Sequence, residues 1–212
     1  MARVFVTGAS GFIGGALTTR LLERGDQVVG LARSDAAAAK VAARGAEVAR
    51  GDLLDEESIA AGMAGCETAY HVAGVNSHCP PDPDMLLRVN VGGAEAAVRA
   101  AARAGIGRMV YTSSAASLGE PVGTVGTEDC THRGSYLSVY DRSKHEGEQA
   151  VFAAAAETGV EVVAVGREVG AAQRVETPLD GGVEHRAEDQ RRRIRHGRPR
   201  RQPRAPSRVP GR

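Results

Sequence analysis

A tyrosine and a lysine stand four residues apart at Tyr140 and Lys144, which places them on one face of any helix formed there. A neighbouring ammonium group favours the phenolate, so the pair could exchange a proton with an alcohol or a carbonyl group at neutral pH. The same spacing is common by chance, and a surface helix with a solvated lysine is the alternative. The pair predicts acid-base catalysis if other polar groups converge on it.

Two further positions could supply such groups. The apolar run at 107–112 leads into Ser113 and Ser114, and a hydroxyl group at the end of a strand could polarise a substrate oxygen. Asn90 falls within a long predicted helix, where its amide could orient the lysine through a water molecule. We therefore predict that Asn90 and one of the serines form a catalytic set with the tyrosine and the lysine.

Three glycines, Gly8, Gly11 and Gly14, occupy the turn between a β-branched run and an amphipathic helix. Glycine allows the backbone angles of such a turn and the close approach of a pyrophosphate, whose charge the amides at the helix N-terminus stabilise. A tight turn without a ligand is the alternative, but the flanking strand, helix and second strand are those that the dinucleotide fingerprint requires. We predict that Gly8, Gly11, Phe12, Ile13 and Gly14 bind a dinucleotide.

The end of the second predicted strand bears on the choice between NAD and NADP. A carboxylate there would bond the ribose hydroxyls and repel a 2′-phosphate, but the sequence has Ala32 followed by Arg33. A guanidinium group is suited to phosphate, so we expect NADP, with NAD as the alternative if Asp35 meets the ribose instead. Arg33 is thus a predicted cofactor contact.

Two loops should complete the cofactor site. Asp52 and Leu53 follow the third predicted strand, and Ala73 and Gly74 follow the fourth, on the sheet edge that carries the glycine turn. Each of these segments alone would be interpreted as an ordinary loop. Together they predict an adenine contact at Asp52 and Leu53 and a close approach of the backbone to the cofactor at Ala73 and Gly74.

The elements that must position these residues alternate between short β-branched runs and alanine-rich amphipathic runs, which is typical of parallel strands joined by crossover helices. Right-handed crossovers put ligand sites outside the carboxyl ends of the strands, where the strand order reverses. The predicted fold is α/β, a doubly wound parallel sheet (Rossmann fold). The strands are predicted at 3–7, 27–32, 46–50, 67–72, 107–112 and 160–165, and the helices at 12–24, 36–44, 56–63, 84–104 and 138–158.

The composition changes after Val165. No aromatic residue follows Gly166, and residues 190–201 are dense in arginine with little to bury, so burial cannot offset the entropy of ordering this segment. We predict an NAD(P)-binding domain over 1–165 and an Arg/Pro-rich, disordered tail over 166–212. The tail could bind nucleic acid nonspecifically through counterion release, but it has no interleaved aromatic residues, so no specific nucleic-acid partner is expected.

The remaining composition excludes several classes of protein. The formal net charge of +1 argues against a protein whose body grips nucleic acid. The three cysteines form no C-x-x-C pair, so neither a zinc site nor a redox dithiol is expected. No apolar stretch approaches the roughly 18 residues of a membrane span, and no signal sequence is evident. We expect a cytoplasmic protein that acts on a small molecule without a membrane partner, and a homodimer is compatible with these features.

These motifs, in this order, resemble the extended short-chain dehydrogenases/reductases, also called the NAD-dependent epimerase/dehydratase family. The resemblance covers residues 1 to about 165 and includes an acidic pair at 128–129 ahead of the tyrosine. It implies that Ser114, rather than Ser113, is the catalytic hydroxyl. Within the family, the sequence is more similar to dihydroflavonol-reductase-like and 3β-hydroxysteroid-dehydrogenase-like members than to sugar-nucleotide epimerases.

The resemblance implies an NAD(P)-dependent oxidoreductase that reduces or oxidises a carbonyl group or secondary alcohol of a small molecule, with Tyr140 as the acid/base. A nucleotide-sugar epimerase or dehydratase is one alternative, and an inactive dinucleotide-binding protein is another. The family's C-terminal substrate lobe is largely absent, since the segment after Val165 is too short and polar for a lobe of about 100 residues. We therefore expect a truncated or frameshifted member of the family with an incomplete substrate pocket.

Overall fold

The computed structural model of the chain describes residues 1–77, 79–127, 130 and 132–166, together with the backbone of a strand at 172–175. The strands are β1 Arg3–Thr7, β2 Gln27–Ala32, β3 Glu47–Arg50, β4 Thr68–His71, β5 Arg108–Thr112, β6 Glu161–Val165 and β7 Ala172–Val175. The helices are α1 Phe12–Glu23, α2 Asp35–Ala42, α3 Glu56–Gly62, α4 Pro83–Leu87, α5 Gly93–Arg103 and α6 Val139–Thr158. A π-helical turn, Arg88–Gly92, joins α4 to α5, and a 3-10 turn, Ala115–Ser117, follows β5.

The strand order in the sheet is β3-β2-β1-β4-β5-β6-β7, and β1 to β6 are parallel to one another. The order reverses between β1 and β4, so Thr7 and His71 lie side by side at the carboxyl ends of these two strands. This topology confirms the predicted α/β, doubly wound parallel sheet. The six predicted strands agree with the observed ones to within one residue at each end.

The seventh strand was not predicted. β7 pairs antiparallel with β6, and it falls within 166–212, the segment predicted as a disordered tail. The strand reads Ala172-Gln173-Arg174-Val175, and its two apolar residues do not alternate with polar ones, so hydrophobic periodicity does not identify it. The segment from 176 onward lies outside the described residues, so the predicted domain boundary at 165 stays a prediction.

Two hydrophobic cores lie on opposite faces of the sheet, because successive residues of a strand point to opposite sides. In β1, Phe5 packs into a core that also holds residues of α3, α5 and α6, whereas Val4 and Val6 pack into a core with residues of α1 and α2. Helices on both faces therefore hold the strands in place. The carboxyl ends of the strands form a rigid edge on which loop residues can converge.

The helix predicted at 84–104 is continuous from Pro83 to Arg103, but its middle is π-helical. Asn90 lies at the centre of this turn, and it is buried. Single π-helical turns within α-helices are frequent at functional sites. The turn brings Asn90 into contact with the loop that follows β4 at the carboxyl edge of the sheet.

Candidate active site

The glycine turn lies between β1 and α1, and two of its glycines leave no room for a Cβ atom. Gly8 has a φ of +72°, and a Cβ atom there would lie 2.8 Å from the backbone nitrogen of Ala73. A Cβ atom at Gly14 would collide with the carbonyl oxygen of Gly8. The Gly11 amide donates a hydrogen bond of 2.9 Å to that same carbonyl oxygen. Only glycine therefore lets the turn pack against both the loop after β4 and the start of α1.

The N-terminus of α1 has no side-chain cap. Its N-cap residue is Gly11, whereas α2, α3 and α6 are capped by Ser34, Asp55 and Ser138. Amides left open at the positive end of a helix dipole form an anion-binding site. A pyrophosphate fits this terminus, because no side chain caps the amides and the glycines allow the tight turn that precedes them.

A buried hydrogen-bond network joins β1 to β4 beneath the turn. The Thr7 hydroxyl oxygen accepts hydrogen bonds of 3.1 Å from the amides of Val72 and Ala73, and it lies 3.3 Å from Nδ1 of His71. Since this oxygen accepts two bonds, its proton is available for His71, which places the imidazole proton on Nε2. The network fixes the loop that carries Ala73 and Gly74.

Arg33, Asp52 and Leu53 line one end of the site, after β2 and β3. Nη1 of Arg33 lies 3.8 Å from Oδ2 of Asp52, and the arginine side chain is 73% exposed. Asp35, the alternative ribose ligand, forms an ion pair with Arg50 instead. Among the described residues, Arg33 and not Asp35 contributes to the wall of this part of the site.

Asn90 ties the loop after β4 to α6. Its Oδ1 accepts a hydrogen bond of 2.7 Å from the Val75 amide, and its Nδ2 donates to the Val75 carbonyl and the Ser143 hydroxyl, both at 2.9 Å. The helix can come this close because residue 147 is glycine, where a Cβ atom would lie 2.6 Å from the Asn90 carbonyl oxygen. We predicted an indirect contact with Lys144, and the structure gives a direct contact with its neighbour Ser143.

The opposite end of the site brings together Ser114, Tyr140 and Lys144. α6 begins after the Ser138 cap, so Tyr140 lies in its first turn and Lys144 one turn later. Ser114 follows β5, where its hydroxyl oxygen accepts a hydrogen bond of 3.2 Å from the Ala116 amide and caps the 3-10 turn. The two segments meet because α6 packs against this 3-10 turn.

Lys144 is partly buried against β5. Its Nζ donates to the Thr112 carbonyl oxygen at 2.8 Å, lies 3.4 Å from the Tyr111 hydroxyl, and stands 5.0 Å from the centre of the Tyr111 ring. Burial lowers the pKa of Lys144 to about 8, while the Glu148 carboxylate opposes that shift. The ammonium form therefore prevails at neutral pH and is lost in mildly alkaline solution.

Two buried rings lie beside the lysine. His71 stacks on Tyr111 with the ring centres 5.7 Å apart. Burial, assisted by the Lys144 cation, lowers the pKa of His71 to about 3, and burial raises the pKa of Tyr111. Both rings are neutral near pH 7, so they can support the lysine without exchanging protons with it.

Sequence reasoning missed four residues that support the site: Thr7, Tyr111, Ser143 and Glu148. One signal pointed to Glu148, its position four residues after Lys144 on the same helix face. Polar residues at strand ends and on helix faces are common in purely structural roles. Spacing alone could therefore not assign them to the site.

Two adjoining clefts of about 550 and 380 Å³ form one groove along the carboxyl edge of the sheet. The groove fits a dinucleotide, because the open helix terminus and the glycine turn lie between its two ends. The acidic pair predicted at 128–129 lies outside the described residues. All of the predicted site residues line the groove: Asn90, Ser114, Tyr140, Lys144, Gly8, Gly11, Phe12, Ile13, Gly14, Arg33, Asp52, Leu53, Ala73 and Gly74.

A family model described as "NAD dependent epimerase/dehydratase family" matches residues 4–201 of the chain. The match covers the whole groove and extends past 165, into the segment that we predicted as a tail. Among the described residues, no helix combines the length and the apolar character needed to cross a bilayer.

Curated relatives are similar over part of the chain. A 4-hydroxy-2-methyl-3-oxo-4-farnesyl-3,4-dihydroquinoline-1-oxide ketoreductase of Stigmatella aurantiaca is 42% identical over 118 residues, 56% of this chain and 35% of the relative. A 2-alkyl-3-oxoalkanoate reductase of Stenotrophomonas maltophilia is 32% identical over 72% of this chain and 46% of the relative. A 3 beta-hydroxysteroid dehydrogenase/Delta 5-->4-isomerase of Mycobacterium tuberculosis is 34% identical over 72% and 43%. The chain thus spans less than half the length of these relatives.

Solved structures share the fold. The protein gox2253 superposes with a TM-score of 0.71 at 32% identity, over 78% of this chain and 51% of that one. A short-chain dehydrogenase/reductase superfamily protein from Agrobacterium tumefaciens, solved with bound NAD, has a TM-score of 0.65 at 28% identity, over 76% and 48%. MoeE5 in complex with UDP-glucose and NAD has a TM-score of 0.62 at 28% identity, over 76% and 52%.

Proposed function

Since the chain belongs to the NAD dependent epimerase/dehydratase family, we propose that it is an NADP-dependent oxidoreductase that interconverts a carbonyl group and a secondary alcohol on a small molecule. The observation that carries the proposal is the convergence of Ser114, Tyr140 and Lys144 on the groove that also holds the glycine turn. The ketoreductase, reductase and hydroxysteroid dehydrogenase among the relatives support this class of reaction.

Each residue at the tyrosine end of the groove has a separate task in this proposal. A bound nicotinamide supplies or accepts the hydride. Ser114 donates a hydrogen bond to the substrate oxygen, and Tyr140 exchanges a proton with the same oxygen. The Lys144 ammonium stabilises negative charge on the Tyr140 phenol oxygen, and it would also hold the ribose hydroxyls of the cofactor. Asn90 bonds Ser143 and so keeps α6, with both residues, on the groove.

The choice of NADP rests on charge at the end of β2. Arg33 offers an exposed guanidinium group, and Ala32 has no carboxylate to repel a 2′-phosphate. An Arg33→Ala variant should bind NADPH about tenfold more weakly and NADH equally well, as measured by fluorescence titration. Asp35→Asn is the matched control, since Asp35 pairs with Arg50 away from the groove. Equal losses for both cofactors in Arg33→Ala would show that Arg33 does not contact the 2′-phosphate, which would remove the basis for the choice of NADP.

The decisive test of the proposed reaction is the removal of the phenol oxygen of Tyr140. Tyr140→Phe should lower NADPH oxidation with a panel of ketones and aldehydes by about 100-fold or more, while NADPH binding is retained. Tyr136→Phe is the matched control, because the Tyr136 ring is exposed and does not line the groove. Unchanged turnover in Tyr140→Phe would remove Tyr140 from the mechanism.

Cofactor exchange separates this proposal from a nucleotide-sugar reaction of the epimerase or dehydratase type. In such a reaction the cofactor is reduced and reoxidised without release, so it should stay bound through purification. Rapid exchange with added NADPH supports the oxidoreductase. NADPH binding without turnover of any compound in the panel would instead indicate a dinucleotide-binding protein without this activity.

A further inference from the structure

A carboxylate lies behind the serine side of the groove. Glu148, on α6 one turn after Lys144, accepts a hydrogen bond from the Ser113 hydroxyl, and the same Oε2 atom lies 3.1 Å from the Ser117 hydroxyl. The two hydroxyl groups lie 3.2 Å apart, and both serines are buried. A single carboxylate oxygen therefore contacts residues on either side of Ser114.

The segment between these serines presents Ser114 to the groove. The Ser117 amide donates a hydrogen bond of 3.0 Å to the Ser114 carbonyl oxygen, and the Ala116 amide donates one of 3.2 Å to the Ser114 hydroxyl oxygen. The Ser117 hydroxyl has one proton, which lies within reach of both the Ser114 carbonyl, at 2.8 Å, and Glu148. The 3-10 turn thus fixes the position of Ser114, and Glu148 fixes the position of the turn through hydrogen bonds.

Burial makes this contact costly to remove. Charge-assisted hydrogen bonds are stronger than neutral ones, and a buried hydroxyl left without an acceptor destabilises the fold locally. His145, also on α6, adds a second contact to the same turn through Nδ1, which lies 3.0 Å from the Ser117 carbonyl oxygen. Two side chains therefore attach the turn after β5 to α6. Of these, Glu148 contacts both Ser113, before the turn, and Ser117, at its end.

We propose that Glu148 is a positioning residue that fixes the Ser114 hydroxyl relative to Tyr140 and Lys144 by bonding the serines on either side of it. The inference rests on the proposed function, which gives Ser114 the substrate oxygen. Tyr140, Lys144 and Glu148 occupy successive turns of α6, so the helix that carries the proton donor also anchors the serine turn. Misplacement of such groups by about 1 Å can lower a rate by about 100-fold.

The kinetic test compares three variants. Glu148→Ala should lower kcat for NADPH oxidation with the ketone and aldehyde panel by about 10- to 100-fold, while the Kd for NADPH stays within about twofold. Glu148→Gln keeps an acceptor oxygen of the same size and should recover most of the lost rate. Glu146→Gln is the matched control, because the contact described for Glu146 is an ion pair of 2.8 Å with Arg142 on the same helix, and Glu146 is not among the described residues that line the groove.

A second readout does not depend on activity. The amides of Ala116 and Ser117 report directly on the bonds to Ser114, so their hydrogen exchange, followed by NMR, should be about tenfold faster or more in Glu148→Ala. Exchange in α5 should not change. A Ser113→Ala, Ser117→Ala double variant should show the same acceleration, and adding Glu148→Gln to it should have little further effect because the partners are already lost.

Unchanged exchange at Ala116 and Ser117 in Glu148→Ala would overturn the proposal. A loss of NADPH affinity as large as the loss of kcat would also overturn it, since that pattern marks a general structural role. If Glu148→Ala does not fold, the double serine variant is judged by the same two criteria. If the wild type turns over no compound in the panel, the proposed function fails, while the exchange rates still decide whether Glu148 holds the turn.

Discussion

Backbone atoms build the glycine turn in the middle of the groove, whereas side chains build its tyrosine end. At Gly8 and Gly14 the space excludes even a Cβ atom, and the anion site consists of amides. At the tyrosine end, Lys144 rests on the Thr112 carbonyl oxygen and the Tyr111 ring, both brought there by the fold. The first site depends on the absence of side chains at a few positions. The second depends on partners that are far apart in the sequence.

This difference predicts how each part of the groove should fail. A substitution in the glycine turn drives a Cβ atom into backbone and distorts the turn, so its effect should be large and independent of pH. A substitution at the tyrosine end changes charge or support, so its effect should be graded and should vary with pH.

Gly14→Ala should abolish most cofactor binding, with NADPH affinity at least about 100-fold lower in a fluorescence titration. The new Cβ atom would collide with the Gly8 carbonyl oxygen, which is backbone and cannot move without opening the turn. Gly92→Ala is the matched control, because Gly92 is also helical and has open space around its Cβ position. Equal NADPH affinity in both variants would show that the glycine turn does not bind the cofactor.

His71→Asn should make the free energy of unfolding fall less steeply as the pH is lowered. The pKa of buried His71 is about 3, against an ordinary value of 6.5, so below pH 6.5 the unfolded chain binds a proton that the folded chain does not. Its contribution to stability is therefore present above pH 6.5 and is lost as the pH falls towards 3, by up to about 1.4 kcal/mol per pH unit.

Urea unfolding at pH 7, 6, 5 and 4 measures this slope. The asparagine can still bond the Thr7 hydroxyl, so the loop after β4 should keep its connection to β1. The variant should be less stable at pH 7, since it loses the ring that stacks on Tyr111, yet its free energy of unfolding should fall less steeply with acid. Parallel curves for the wild type and the variant would mean that His71 titrates normally in the folded state.

Turnover should fall about tenfold per pH unit above pH 8, because the Lys144 ammonium is required and its lowered pKa is about 8. The pH profile of kcat/KM for NADPH oxidation checks this. Lys144→Arg sharpens the test, since arginine keeps its charge at all accessible pH values. The Lys144→Arg variant should have a lower kcat/KM at every pH, but its kcat/KM should not decrease above pH 8. A decrease at the same pH in this variant would mean that another group is responsible for the alkaline loss of activity.

The features that the sequence could predict are those determined by residues close together in the chain. Gly8 and Gly14 are recognisable because the turn leaves no space for a Cβ atom at either position, and the six strands follow from hydrophobic periodicity. The π-helical turn at Arg88–Gly92 and the contact of Asn90 with Ser143 could not be predicted, because both depend on how α6 packs against an earlier helix. The stack of His71 on Tyr111 likewise joins two strands whose pairing is set by topology.

The smallest expected effect tests whether the ring or the hydroxyl of Tyr111 supports the lysine. Tyr111→Phe keeps the ring under the ammonium group and removes only the hydroxyl, which lies 3.4 Å from Nζ, at the long end of hydrogen-bond distances. We expect kcat for NADPH oxidation to fall less than about tenfold, which corresponds to the roughly 1 kcal/mol of an ordinary hydrogen bond.

Tyr111→Leu removes the ring as well and should have the larger effect, because Lys144 then loses its cation–π contact and His71 its stacking partner. Equal effects of the two variants would assign the support to the hydroxyl, and the tyrosine end would then depend on hydrogen bonds alone.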